Sequence, residues 1–198
     1  MMVEAFRSKK DIEKVKRRLK KHKDKRLYPM FIIGLNTGLR IADIVPLKVS
    51  DFRGKRYLVI KEEGKTGKKK NIAINEAIKE VIEEYYRESK KDEYLFKSQK
   101  GGHIVENTAY RLLKSEFKKC RFKYNTGTHS MRKSHGKEIN EIYGIEMAQT
   151  VLGHDNQRDT LRYIGMEKEM VEVIYIIEMA VSILECGKMI IKVEMENL

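Results

Sequence analysis

Residues 152–165, LGHDNQRDTLRYIG, set a tyrosine nine positions after a histidine in a mostly polar stretch, with Leu161 as its one clear apolar anchor. A phenol in such a setting either lays its ring along a surface or is held out for chemistry. Other parts of the chain supply groups such chemistry would use. Arg40 follows NTGL, Lys65 sits inside EGKTGK, and His129 and Arg132 fall in THSMR. His129 and Arg132 are three apart and share a face if that segment is helical. Guanidinium groups stay charged and offer planar, paired donors to an oxyanion. An imidazole with an ordinary pKa of about 6.5 can pass a proton in either direction. Each residue also has a plain structural explanation. Arg40 can pair with Asp43, Lys65 can be an exposed turn lysine, and His129 and Arg132 can cap and solvate a helix. His154 can be a satisfied structural histidine, and Tyr163 a packed surface ring.

Two other chemistries fall away on spacing. GKT at 64–66 is part of a phosphate-binding loop only if a glycine stands five residues earlier and a helix follows; position 59 is Val59, and a strand pattern follows. His129 and His135 are six apart, off a common helical face, with no nearby cysteine or paired carboxylate to complete a metal shell.

The elements that must position these groups can be read from periodicity. Ser8 with Asp11 three residues on is a capping pattern, and Ile12, Val15 and Leu19 recur at helical spacing, so a basic amphipathic helix is expected over about 9–23. Residues 27–37, LYPMFIIGLNT, are apolar nearly all round and predict a central helix ended by Gly38. RIADIVPLKVSDF gives a short third helix and a turn. Residues 56–62 and 69–75 read as two strands of a hairpin joined by EGKTGK, with Lys65 at its tip. Helices are expected at about 76–90 and 105–119. Another starts with Thr128 as its cap and stops at Gly144, and a short one covers IEMAQTVLG. The helix carrying Tyr163 comes next. The expected fold class is mainly α with a small antiparallel sheet, an α+β arrangement, in a single domain over 1–165, followed by an apolar tail at 166–198.

Composition narrows the partners. The 198 residues carry a net charge of +13, and residues 7–26 alone hold twelve Lys or Arg against three Asp or Glu. Charge concentrated in this way points to a polyanion, nucleic acid ahead of membrane; a solvated helix face is the plainer reading. Cys120 and Cys186 are far apart without CxxC spacing, which suggests neither disulfide framework nor zinc site and fits a reducing cytoplasm. The first 26 residues lack the apolar core of a secretory signal. The most apolar run, 171–186, is broken by Glu172, Glu178 and Glu185 and makes a poor membrane span.

As an ordered set, Arg40, Lys65, THSMR, LGH at 152–154 and Tyr163 resemble the catalytic domain of the tyrosine recombinases, the phage integrase family. TGLRIADI is similar to the family's first arginine box, EGKTGKKKNIAI to its lysine-bearing hairpin, HSMR to its H-x-x-R, and LGHDNQRDTLRYIG to its L-G-H followed by the nucleophile. The resemblance covers about residues 8–165. It implies that Tyr163 cleaves one strand of double-stranded DNA, giving a 3′-phosphotyrosine and a free 5′-hydroxyl, with no ATP, metal or other cofactor. A phenol has a pKa of about 10 and attacks well only as its proton is removed. In the implied roles His129 takes that proton, Arg40 and Arg132 clamp the non-bridging oxygens, His154 adds a hydrogen bond, and Lys65 protonates the departing 5′-oxygen. Asp43 orients Arg40, or simply caps the short helix.

Lys14, Arg17, Arg18, Lys21, Lys68, Lys69 and Lys133 are expected to meet DNA phosphates, contacts that are salt-dependent and carry little sequence information. Family members usually carry an N-terminal clamping domain, whereas here the first helix starts within ten residues of the beginning, so weaker and less specific DNA binding is expected. In the family the segment after the tyrosine often packs on a neighbouring protomer. The run 171–186 suits that role in a homo-oligomer of two to four copies on DNA, or it folds back on its own core; KMIIKVEM at 188–195 could add a strand. The functional expectation is a site-specific recombinase or integrase. A type IB topoisomerase-like relaxing activity and a DNA-binding module without catalysis remain the alternatives.

Overall fold

A computed structural model describes residues 3–61 and 69–166. The element order is α1 (Lys9–Lys20), α2 (Leu27–Thr37), α3 (Ile41–Ile44), a 3-10 turn (Val49–Asp51), β1 (Tyr57–Lys61), β2 (Lys69–Ala73), α4 (Glu76–Tyr86), α5 (Glu106–Lys119), α6 (Thr128–Tyr143), α7 (Ile145–Leu152) and α8 (Gln157–Ile164). The two strands pair antiparallel, from Tyr57 opposite Ala73 to Lys61 opposite Lys69. Across the described residues the chain therefore adopts the expected mainly α class with a small antiparallel sheet.

Helix α2 is the centre, as its all-round apolar character predicted. Met30, Phe31, Ile32 and Ile33 are buried, and α1, α4, α5 and α6 all contact the helix. Phe6 enters this core from the N-terminal segment and meets Phe31, Phe117 and Phe122 edge-on at 5.6–6.0 Å, a geometry that suits aromatic quadrupoles. Helix α1 docks through Val15 and Leu19, both essentially inaccessible, each stabilising the fold by roughly 1.5–3 kcal/mol.

The helix ends differ from expectation for local reasons. At the start of α1, Ser8 Oγ accepts from Asp11 N–H as the capping pattern predicted. The helix stops at Lys20 rather than 23 because the chain turns into a local knot in which Asp24 holds the Arg26 guanidinium and accepts its backbone N–H. Helix α4 stops at Tyr86 rather than 90. Arg53 reaches its end and donates to the carbonyls of Tyr86, Arg87 and Ser89, satisfying groups a longer helix would have used. Thr128 does not cap α6 but is its first residue; Gly127 takes the cap position and its N–H is accepted by Ser130 Oγ at 3.1 Å.

Gly38 decides where α2 hands over to the site. It ends α2 with φ +65°, and a Cβ there would stand 2.5 Å from Cδ2 of His135. His135 is held as neutral imidazole, its pKa pushed down to about 4 mainly by burial. Gly38→Ala is expected to destabilise the protein by about 2 kcal/mol or more, from left-handed backbone strain plus overpacking against that ring. Chemical denaturation compared with wild type checks this; an unchanged midpoint would mean that neither the backbone strain nor the ring contact weighs on the fold.

Candidate active site

Helix α6 brings the central residues together. Its first two turns present His129, Arg132 and Lys133, and it packs against α2, α7 and α8. The approach to α7 and α8 is close at Gly136, where a Cβ would come within 2.7 Å of Leu152 Cδ1 and 3.0 Å of Ile164 Cγ2. A larger residue there would press on Leu152 and on Ile164 of the helix that carries Tyr163.

Arg132 is 5% exposed and forks between two distant carbonyls: Nη1 donates to Gly38 O at 2.5 Å and Nη2 to Leu152 O. It thus ties the end of α2 to the end of α7. A buried guanidinium needs such partners, and its five N–H groups leave donors over for another ligand. Arg40 follows the Gly38 turn, two residues on, with an exposed side chain. Asp43 Oδ2 accepts the Arg40 backbone N–H at 3.3 Å, so its contact to Arg40 is the capping contact of the alternative reading.

Tyr163 lies on α8, whose N-terminus is capped by Asn156 accepting from Asp159 N–H at 2.8 Å. Its Oη is 3.1 Å from Nδ1 of His129, the geometry for the phenol to donate. The ring is met edge-on by His154 at 5.1 Å, and the Lys133 ammonium stands 4.9 Å from its centroid. Burial raises the Tyr163 pKa, opposed by the charges of Arg132 and Arg40 and by a hydrogen bond from Arg132. The phenol is therefore protonated at neutral pH. Burial lowers the His129 pKa, with Arg132, Arg40 and Lys133 adding to the effect. The imidazole is consequently neutral at pH 7 and free to accept.

His154 follows Gly153, which ends α7 in the left-handed region. Gln149 holds the turn from both sides, accepting His154 N–H at 3.2 Å and donating Nε2–H to His154 O at 3.1 Å. Buried Thr160 places Oγ1 3.1 Å from His154 Nδ1, which leaves Nε2 as the nitrogen available to a ligand. Burial lowers the His154 pKa, as do Arg132 and Arg40. From the hairpin, Lys70 Nζ donates to Val151 O, tying β2 to the end of α7 beside this turn.

The structure thus brings Arg40, His129, Arg132, His154 and Tyr163 into one constellation. Lys65 and Lys68 lie outside the described residues, as do the apolar run 171–186 and the possible strand at 188–195. Among the described residues no group of three or more His, Cys, Asp or Glu could hold a metal ion, and no helix is long and apolar enough to cross a membrane.

The family-model match spans residues 7–170 and is described as the phage integrase family. The chain belongs to that family. The probable integrase/recombinase YoeC of Bacillus subtilis is 38% identical over 176 residues, covering 88% of this chain and 96% of that protein. Tyrosine recombinase XerC of Caldanaerobacter subterraneus is 30% identical over 147 residues, covering 69% of this chain and 40% of XerC. Against XerC and the putative integrase/recombinase y4qK of Sinorhizobium fredii, the chain spans less than half of the relative's length. Among solved structures, XerA recombinase superposes with a TM-score of 0.69 at 18% identity, covering 90% of this chain and 65% of XerA. A lambda integrase tetramer bound to a Holliday junction gives 0.66 at 17% identity, covering 84% and 50%. At these identities the structural likeness speaks for the integrase-family fold alone.

The residues expected on the DNA-facing surface of this integrase-family chain divide. Lys14, Arg17 and Lys21 on and after α1 are exposed, as is Lys69 on β2. Arg18 does not stand free. It pairs at 2.7 Å with Glu116 of α5, whose side chain is 4% exposed and also binds Lys119. That carboxylate has to be neutralised where it is buried, so Arg18 is committed to it, although its own side chain stays 37% exposed. Lys133 is only 6% exposed and faces Tyr163 rather than solvent. Arg18 could have been suspected from its place beside Val15 and Leu19 on the buried stripe, Lys133 only from its place between buried Arg132 and Ser134.

Proposed function

We propose that this chain carries the strand-breaking and rejoining activity of a site-specific DNA recombinase or integrase, with Tyr163 as nucleophile. The observation that carries the reading is the 3.1 Å approach of Tyr163 Oη to His129 Nδ1 beside a guanidinium held in place at both ends. In the proposed step Oη attacks the scissile phosphorus as its proton passes to His129. The P–O5′ bond breaks, and Lys65 protonates the 5′-oxygen. The products are a 3′-phosphotyrosine and a free 5′-hydroxyl; the reverse step rejoins a strand without ATP. Arg132 and Arg40 would bind the two non-bridging oxygens, whose charge grows in the transition state. His154 would add a hydrogen bond through Nε2 to the same group. The exposed cations of α1 and β2 would follow the DNA backbone, and two to four copies would assemble on double-stranded DNA.

Covalent capture tests this directly. The protein is incubated with supercoiled plasmid and with a pool of nicked duplexes in the presence of chelator, then denatured and assayed for DNA-linked protein. Wild type is expected to give an adduct that survives chelation, and Tyr163→Phe none. An adduct undiminished in Tyr163→Phe would refute the nucleophile. Salt-dependent binding without any adduct would favour a DNA-binding module.

A further inference from the structure

We infer that Lys133 is a positioning residue for the nucleophile, holding the face of the Tyr163 ring and favouring it as the phenol turns into phenolate, and that it does not contact DNA. The inference rests on Tyr163 being the nucleophile. Lysine is almost never fully buried unless something compensates its charge. Here the ammonium is aimed at an aromatic face, 4.9 Å from its centroid and within the range of a cation–π interaction. The N-terminal segment covers its other side. Phe6 N–H donates to Ser134 Oγ at 2.8 Å, pinning that segment to α6 one residue beyond Lys133, and Glu4 provides the opposing charge. Lys137 and Arg162 line the same cleft with Glu4.

The chemical consequence follows from where the charge of a phenolate resides. It is shared between the oxygen and the ring carbons, so a cation over the face is drawn more strongly to the phenolate than to the phenol. The contact tightens as the proton leaves, and interactions that strengthen towards the transition state accelerate the step. Among the described residues, His129 and Arg132 of α6 and Arg40 act at the phenol oxygen, and the His154 ring stands nearly perpendicular to the phenol ring at 5.1 Å.

The test uses the full chain with Lys133→Met, which removes charge at similar length, and Lys133→Arg, which keeps it. Covalent adduct formation is followed in single turnover across pH on the nicked duplexes captured by wild type. Binding to a fluorescein-labelled duplex of unrelated sequence is measured against salt. The pKa of Tyr163 is read separately by ring-13C tyrosine NMR without DNA. Lys133→Met is expected to slow adduct formation about tenfold near neutral pH, with the rate recovering towards alkaline pH, and Lys133→Arg to restore it. DNA affinity and its salt dependence should stay at wild-type values, and the Tyr163 titration should move upward in Lys133→Met. A salt slope reduced by about one, with unchanged cleavage at saturating DNA, would make Lys133 a phosphate contact and overturn the inference. An unmoved Tyr163 titration would overturn it too, even if the methionine variant were poorly active for reasons of folding. Adducts that persist in Tyr163→Phe would instead sink the nucleophile assignment, whatever the titration shows.

Discussion

Arg132→Lys is expected to reduce covalent adduct formation by about 100- to 1,000-fold, the scale of losing an oriented donor to a developing oxyanion. Lysine keeps the charge, so the loss would come from geometry. The guanidinium reaches Gly38 O with one nitrogen and Leu152 O with the other, and these two bonds set its plane between the ends of α2 and α7. One ammonium on a flexible stem cannot satisfy both carbonyls and still present a paired donor edge to a phosphate. A carbonyl left buried without a donor costs about 1–3 kcal/mol, so unfolding by denaturant should also come earlier. Single-turnover adduct yield and a denaturation curve together check this. Cleavage within tenfold of wild type would show that charge alone suffices at this position.

His129→Gln is expected to slow the same step by about 100- to 10,000-fold, the range spanned by general base catalysis. Glutamine can still meet the phenol but cannot take its proton at neutral pH. The pH profile separates this role from a steric one. Burial is the main cause of the lowered His129 pKa, and Arg132, Arg40 and Lys133 push in the same direction, because each disfavours the imidazolium. The working form is the neutral ring, which prevails above its pKa. Wild-type cleavage should therefore be undiminished at pH 7 and fall away as pH drops below the ordinary histidine value of about 6.5. In His129→Gln that acid limb should vanish, leaving a low rate governed by the phenol, whose pKa is raised by burial. An acid limb retained in the variant would overturn the assignment of the base to His129.

The helical layout was legible because each element repeats its own signature. Val15 and Leu19 of α1 fall on one stripe, and LYPMFIIGLNT has no polar face and becomes the centre. The two strands were legible as runs at 56–62 and 69–75, and the structure pairs them antiparallel in a register the sequence did not specify. Helix ends were less legible, since α4 stops where Arg53, more than thirty residues earlier in sequence, reaches its carbonyls.

For the candidate site, the sequence by itself determined which residue types occur and in what order: an arginine after a glycine turn, a histidine and an arginine one helical turn apart, a histidine after a glycine turn, and a tyrosine nine residues on. These are local features, written in short spacings that a helix or turn converts directly into shared faces. Only the tertiary structure decided how each side chain is used. Arg18 and Lys14 read alike on a basic helix, yet one is drawn to a buried carboxylate 98 residues away and the other stays exposed. Lys133 reads as one more basic residue, yet the packing of α6 on α8 buries its charge against the Tyr163 ring. The reason is physical: desolvation and pairing depend on what lies across the interface, and for these cations the partners come from elements distant in sequence.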